Sequence, residues 1–242
     1  MDKKLSVSEV FYSIQGEGAT TGVPSVFLRL AGCNLMCGGM GTQFDKELHN
    51  GATWRCDTIE VWMKGKAKPF NEILDEECRT ALKMGAHLVV TGGEPTMQQK
   101  NLMHFFDWLE KNISSDIYIE CETNGTNAAE LLSQRVNQFN CSPKLSNSGN
   151  DKSLRLNPDA IKQLNKFNTW FKFVISGKQD WEEIKEDYLP LIDRQKILLM
   201  PAGSNKKLLN QNKKTVAELC KKHYLKYTGR LQIEIWNQAT GV

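Results

Sequence analysis

The chain has 242 residues, 40% of them hydrophobic, enough for one ample core and a single domain over 1–242. Lys and Arg exceed Asp and Glu by 31 − 28 = 3, too small an excess to imply a nucleic-acid partner. No apolar run approaches a membrane span and the first residues, MDKKLSVSEV, lack the apolar core of a signal peptide, so a cytoplasmic protein without a membrane partner is expected.

Residues 6–14 alternate and carry β-branched and aromatic side chains, which predicts a strand. A glycine-rich turn over 15–24 follows, and 25–31 is a second predicted strand, apolar except for Arg29. A charge in such a strand needs a partner: an ion pair with Glu17 or another carboxylate, or an anion that it clamps. Residues 38–68 are polar and glycine-rich and predict no element. Asn71 is placed to cap a helix through about 84, with Ile73, Leu74, Cys78, Ala81 and Leu82 on one face. A buried strand is expected over 87–91. A helix follows over 98–111, with Leu102, Phe105, Phe106 and Leu109 as its buried stripe.

Further on, the pattern predicts strands over 116–121 and 136–141, a short helix over 127–133 and a loop over 144–155. Pro158 opens a helix to about 167. Strand 169–176, helix 181–188, strand 196–200, helix 213–225 and a last strand over 230–236 complete the chain. Strands alternating with helices imply an α/β fold with a mainly parallel sheet and right-handed crossovers. About seven strands fall short of a closed eightfold barrel. The polar motifs that follow Ile14, Ala31, Val90, Cys121, Cys141 and Leu199 share the C-terminal edge of that sheet, where such folds carry their chemistry.

Seven cysteines are present. An odd number, with no export signal expected, argues against a disulfide framework. Cys78 and Cys220 fall inside amphipathic helical patterns and read as core thiols; Cys121 and Cys141 read as small buried side chains at strand ends. Cys33 and Cys37 are separated by three residues, and Cys56 follows after eighteen more. Such a set suits a soft metal centre. Three cysteines would leave one iron of a [4Fe–4S] cluster open, whereas His49 would complete a four-coordinate zinc site. Spacing alone leaves both open.

The surroundings are more specific. Gln15-Gly16-Glu17-Gly18, then Phe27-Leu28-Arg29-Leu30-Ala31-Gly32-Cys33-Asn34-Leu35, then Thr91-Gly92-Gly93-Glu94-Pro95, then Glu122-Thr123-Asn124-Gly125-Thr126 and Ser142-Pro143-Lys144 occur in that order. Together they resemble the 7-carboxy-7-deazaguanine synthase family, radical S-adenosylmethionine (SAM) enzymes of queuosine and archaeosine base synthesis. The resemblance runs from about Val7 to Lys144 and returns weakly near the end. It implies an incomplete (β/α) barrel of the radical SAM type. It also implies a [4Fe–4S] cluster on Cys33, Cys37 and Cys56 and a Mg2+ ion on Thr58.

For SAM, the resemblance implies contacts from Arg55 and Asp57, and from Gly93 and Glu94 near the amino group. It adds Glu122 and Asn124 near the ribose, then Ser142, Pro143 and Lys144, and finally the loop Met200, Pro201, Ala202 and Gly203. For the substrate, 6-carboxy-5,6,7,8-tetrahydropterin, it implies Ile14, Gln15, Gly16, Glu17, Arg29, Thr91 and Val242. The implied reaction removes a hydrogen atom from C6, contracts the ring and releases ammonia to give 7-carboxy-7-deazaguanine, with no catalytic side chain beyond cluster and SAM. An electron donor such as flavodoxin and a homodimer are implied as well.

Three features depart from the family pattern. The family more often has two residues between the second and third cysteine, where this chain has an insertion at 38–55. Many relatives have glutamine in place of Met200. Many also have Gln-x-His near the end, where this chain has Gln232-Ile233-Glu234. Within the insertion, Phe44 and Leu48 are expected to pack beside the cluster and shield it, and Trp54 either to flank the adenine of SAM or simply to pack. The alternatives are another radical SAM reaction, such as glycyl-radical activation of a partner protein, or a metal-stabilised binding module without activity.

Overall fold

The computed structural model describes residues 4–42, 47–239 and 241. Strand β1 (Lys4–Ile14) and strand β2 (Pro24–Leu30) form an antiparallel hairpin whose register is irregular between Val7 and Glu9. Its turn closes through the Gln15 N–H to the Val23 carbonyl (2.8 Å) and the Gly22 N–H to the Gln15 carbonyl (2.7 Å). Strand β3 (Lys66–Pro69) pairs antiparallel along the other side of β1. Beyond β2 every pairing is parallel: β4 (His87–Gly92), β5 (Ile119–Thr123), β6 (Gln138–Cys141), β7 (Thr169–Ile175), β8 (Ile197–Pro201) and the short β9 (Lys226–Tyr227). The sheet order is β3-β1-β2-β4-β5-β6-β7-β8-β9. The expected incomplete barrel with a mainly parallel sheet is thus what the chain adopts, with β3 and β9 as its open edges.

Alternation along the strands divides the sheet into two faces. Leu28, Leu30, Leu88, Val90, Cys121, Phe139, Phe171, Phe173 and Leu199 belong to one apolar core with residues of helices α2 (Glu76–Lys83), α3 (Gln99–Asn112), α5 (Pro158–Asn165), α6 (Gln179–Asp187) and α7 (Lys206–His223). The four apolar residues read as the stripe of α3 are all buried there, and the Phe105 ring meets Phe70 edge-on at 5.4 Å. Each such side chain contributes roughly 1.5–3 kcal/mol by leaving water. The intervening strand positions carry Arg29, Thr91, Glu120, Glu122, Asn140 and Lys172. A polar inner face of this kind has to be satisfied by its own members or by a ligand.

Several elements differ from the pattern in the sequence. Residues 230–236, expected as a strand, form helix α8 (Leu231–Trp236). The apolar–polar alternation of that stretch has no sheet partner, and Ile233 is its buried residue, so one anchor packs a single helical face. The helix expected from Asn71 begins at Glu76, because Asp75 accepts the Cys78 N–H (2.8 Å) while 70–72 make a separate tight turn. Helix α7 starts earlier than 213, at Lys206, where Asn205 caps the Leu208 N–H (3.0 Å). The stretch 38–68 contains α1 (Ile59–Trp62) and β3, and 144–155 contains α4 (Lys152–Arg155). The helix expected over 127–133 is reduced to one tight turn at Leu132–Gln134. Among the described residues no helix is long and apolar enough to cross a membrane.

The cap gives a direct check on where α2 begins. Asp75→Ala should lower stability by about 1 kcal/mol in a urea titration, whereas Asn71→Ala should leave it nearly unchanged. The reverse order would place the helix start at Asn71.

Candidate functional site

A cavity of about 540 Å³ opens at the C-terminal ends of the parallel strands. It gathers residues from across the chain: Ile14, Gln15, Gly16, Glu17, Arg29 and Thr91; Cys33, Cys37, Arg55, Cys56, Asp57 and Thr58; Gly93, Glu122, Asn124, Ser142 and Lys144; and Met200, Pro201, Ala202 and Gly203. Pro143 and Glu94 stand outside this lining. Val242 lies outside the described residues, as does Phe44.

The three cysteines reach the cavity in spite of the insertion, because its two ends are joined. The Cys56 N–H donates to the Cys37 carbonyl (3.1 Å). Gly38 has φ +82, and a Cβ there would lie 2.7 Å from Arg55 Cα, so this closure needs glycine. The insertion then docks on the loop after β6. Gly38 N–H donates to the Ser148 carbonyl (2.9 Å), Thr53 N–H to the Asn147 carbonyl (2.9 Å) and Trp54 Nε1 to Asn147 Oδ1 (2.8 Å). Leu48 and Trp54 both line the cavity. His49 is exposed and sits over Gly39, outside the lining, so it is not grouped with the thiols.

Polar groups surround the sulfurs. Leu35 N–H lies 3.5 Å from Cys33 Sγ, Asn150 Nδ2 lies 3.4 Å from Cys37 Sγ, and Cys56 Sγ lies 3.4 Å from Thr58 Oγ1. Burial pushes the Cys33 thiol up and the Cys37 thiol up to about 12. Thiols in this setting ionise when a metal takes the thiolate. Among the described residues no three His, Cys, Asp or Glu side chains converge as a single-ion site. Cys33, Cys37 and Cys56 nevertheless line one cavity, and three soft thiols are a donor set that an iron–sulfur cluster would take.

The glycine pair after β4 acts through backbone proximity. A Cβ on Gly93 would lie 1.6 Å from the Gly32 carbonyl oxygen, and Glu94 N–H donates to that same carbonyl (2.8 Å). The Glu94 side chain, expected near an ammonium, is fully buried. Its carboxylate accepts from Thr96 N–H (3.0 Å), Thr96 Oγ1 (2.6 Å), Thr123 Oγ1 (2.7 Å) and Asn124 N–H (2.7 Å). Glu94 therefore orders the turn after β5 from behind. Asn124 in turn donates to Asn34 Oδ1 (2.8 Å), next to Cys33. Arg55, expected at SAM, points its guanidinium at Thr42 Oγ1 (3.1 Å) and Glu60. Glu122 accepts from Thr91 Oγ1 (2.6 Å), which sets it beside the residues assigned to substrate. Lys144 Nζ donates to Ser142 Oγ (2.9 Å) and stands 5.8 Å from the Trp54 ring centroid.

Sequence reasoning missed two cations. Lys172 lies on β7 with its Nζ 2.5 Å from Glu17 Oε2, and Arg230 Nε lies 2.8 Å from Glu17 Oε1. Gln232 Nε2 also donates to Glu17 Oε1 (2.7 Å), while Glu234 pairs with Lys213 (2.8 Å) outside the lining. Burial alone would raise the Glu17 pKa, but the charges of Lys172 and Arg230 outweigh it and hold the carboxyl well below the usual range. The signal for Lys172 was a lone charge in Thr169-Trp170-Phe171-Lys172-Phe173-Val174-Ile175. Arg29 pairs not with Glu17 but with Glu9, Nε to Oε1 at 2.7 Å.

No protein-family model matches the chain. It is 32% identical to the 7-carboxy-7-deazaguanine synthase of Hyperthermus butylicus, over 95% of this chain and 92% of that protein. It is 29% identical to the 7-carboxy-7-deazaguanine synthase of Pyrobaculum aerophilum, over 98% and 97%. The crystal structure of QueE from Escherichia coli superposes with a TM-score of 0.64 at 25% identity, covering 94% of each chain.

Lys172 gives the site a measurable pH dependence. As pH falls below 4.5 the unfolded chain takes up a proton at this position that folded Glu17 refuses, so stability drops through that window. In Lys172→Met the upward push of burial is less opposed and the two pKa values converge. The variant should lose on the order of 3 kcal/mol at neutral pH. Its Tm should also fall less steeply than the parent's between about pH 6 and about pH 3. Equal slopes would mean that Lys172 does not set the ionisation of Glu17.

Proposed function

The chain belongs to the 7-carboxy-7-deazaguanine synthase family, and on that premise we propose that its cavity converts 6-carboxy-5,6,7,8-tetrahydropterin to 7-carboxy-7-deazaguanine with loss of ammonia. The observation that carries this reading is that Cys33, Cys37 and Cys56 line the same cavity as Glu17, Arg29 and Thr91. The relatives favour neither of the alternative readings. When bound, a [4Fe–4S] cluster and SAM supply hydrogen-atom abstraction; the chain's work is binding, orientation and exclusion of water.

The three thiolates would hold the cluster, and Asn150 and the Leu35 N–H stand where they stabilise sulfur charge. Asp57, Gly93, Asn124, Ser142, Lys144 and the loop Met200 to Gly203 surround the space for SAM, with Lys144 as the cation for its carboxylate. Glu94, Pro143 and Arg55 support that wall through the turns they occupy. Thr58 would offer its hydroxyl to Mg2+. Glu17 accepts from the donor edge of the pterin, Glu122 from the ribose hydroxyls of SAM, and Arg29 clamps the substrate carboxylate through the Nη donors that Glu9 leaves available. Leu48 and Trp54 keep water from the cluster side. The reading treats 1–242 as one radical SAM domain with a cluster-loop insertion at 38–55. It includes a one-electron donor such as flavodoxin and a homodimer, both supported by the family resemblance alone.

Two variants test the division of roles. Cys56→Ala, isolated and reconstituted without oxygen, should hold markedly less iron and sulfide than the parent, and parent-like content would remove Cys56 from the ligand set. Arg29→Ala should keep its cluster and its SAM affinity but lose roughly tenfold or more in kcat/KM for the pterin. Loss of SAM binding instead would place Arg29 at the cofactor.

A further inference from the structure

One side chain touches three loops, of which the proposed function assigns one to substrate and two to SAM. Arg230 Nε donates to Glu17 Oε1 (2.8 Å), in the hairpin turn assigned to substrate. Its Nη2 donates to Asp57 Oδ2 (2.6 Å), the residue after the third cysteine. Its Nη1 donates to the Gly203 carbonyl (2.7 Å), in the loop after β8 assigned to SAM. The guanidinium is a planar, rigid fork, so a shift of one acceptor tilts the donors offered to the other two. Its backbone is fixed too, since the next residue, Leu231, donates its N–H to the Gly16 carbonyl (2.9 Å).

We propose that Arg230 is a positioning residue that couples the pterin site to the cofactor site, so that a pterin on Glu17 tightens the binding of SAM. The inference rests on the proposed function of this cavity. The carboxylate of Glu17 already receives Lys172 on Oε2 and both Arg230 and Gln232 on Oε1. Three donors leave one of its roughly four lone-pair positions, on Oε2, for a donor on a pterin edge, so substrate can bind Glu17 without displacing Arg230. A Glu17 held by substrate fixes the acceptor of Nε, and the rigid fork then holds Nη2 on Asp57 and Nη1 on the Gly203 carbonyl. Those contacts hold the chain after Cys56 and the loop after β8, so the cofactor side becomes more ordered when the substrate side is filled. By linkage, SAM tightens the pterin by the same factor.

The test is a binding ratio, which needs no turnover. The affinity of the cluster-loaded protein for SAM is measured by anaerobic equilibrium dialysis with and without 6-carboxypterin, the oxidised analogue that has no hydrogen at C6 to give. The parent protein should bind SAM about fivefold or more tightly with the pterin present. In Arg230→Met the ratio should fall to near one. Asp57→Asn, at a side chain that is 43% exposed, should lower the ratio as well, whatever it does to SAM affinity without the pterin, and keeps the test valid if Arg230→Met does not fold. The double variant should be no worse than Arg230→Met, because both changes break one link. Arg230→Lys should restore charge but little of the ratio, since one ammonium cannot span three acceptors. A parent ratio of one, or an unchanged ratio in Arg230→Met and Asp57→Asn, overturns the coupling. If the parent binds SAM but no 6-carboxypterin, the pterin reading of the cavity fails, and the inference with it.

Discussion

An ionised carboxylate inside the half-barrel is the constraint on which the site depends. Glu17 is 14% exposed and carries its charge among strands. Left unpaired, such a group would cost several kcal/mol. The chain meets that cost with Lys172 from β7 and with Arg230 and Gln232 from the segment around α8. These donors come from positions more than 150 residues away in sequence, so neutralising one charge brings the hairpin turn, strand β7 and the segment around α8 to the same place. The cavity takes its shape from that convergence.

The cysteine side obeys a different constraint. Eighteen residues separate Cys37 from Cys56, yet a single backbone bond and the absence of a side chain at Gly38 bring the two together. A longer closed loop costs only about 0.6 kcal/mol per doubling of its length, and the contacts with Asn147 and Ser148 offset that loss. The excursion leaves the rim and becomes part of its wall through Leu48 and Trp54.

Much of this was legible in the sequence, for physical reasons that also mark where reading fails. The helix with Leu102, Phe105, Phe106 and Leu109 and the parallel strands have one strong period each, and they fold as that period predicts. Residues 230–236 alternate like a strand, but Leu231 gives its N–H to the Gly16 carbonyl and the stretch coils as α8, which only tertiary structure decides. Arg29 was expected to need a carboxylate, and it has one. Its partner is Glu9 because those two residues stand directly opposite across the hairpin, in a register shifted by the irregularity after Val7. Glu94 shows the limit of motif reading: the motif marks the right turn, yet the carboxylate serves the turn's own hydroxyl and amide donors. Lys172 was visible as an anomaly in an apolar strand, but its partner lies 155 residues away.

The central claim is that one cavity holds both a radical-generating centre and a pterin. The most direct test is to reconstitute the protein without oxygen, supply SAM, a reductant and 6-carboxy-5,6,7,8-tetrahydropterin, and follow the products by mass spectrometry. The account predicts 7-carboxy-7-deazaguanine and ammonia in equal amounts. Iron-replete protein that cleaves SAM and leaves the pterin unchanged would contradict it.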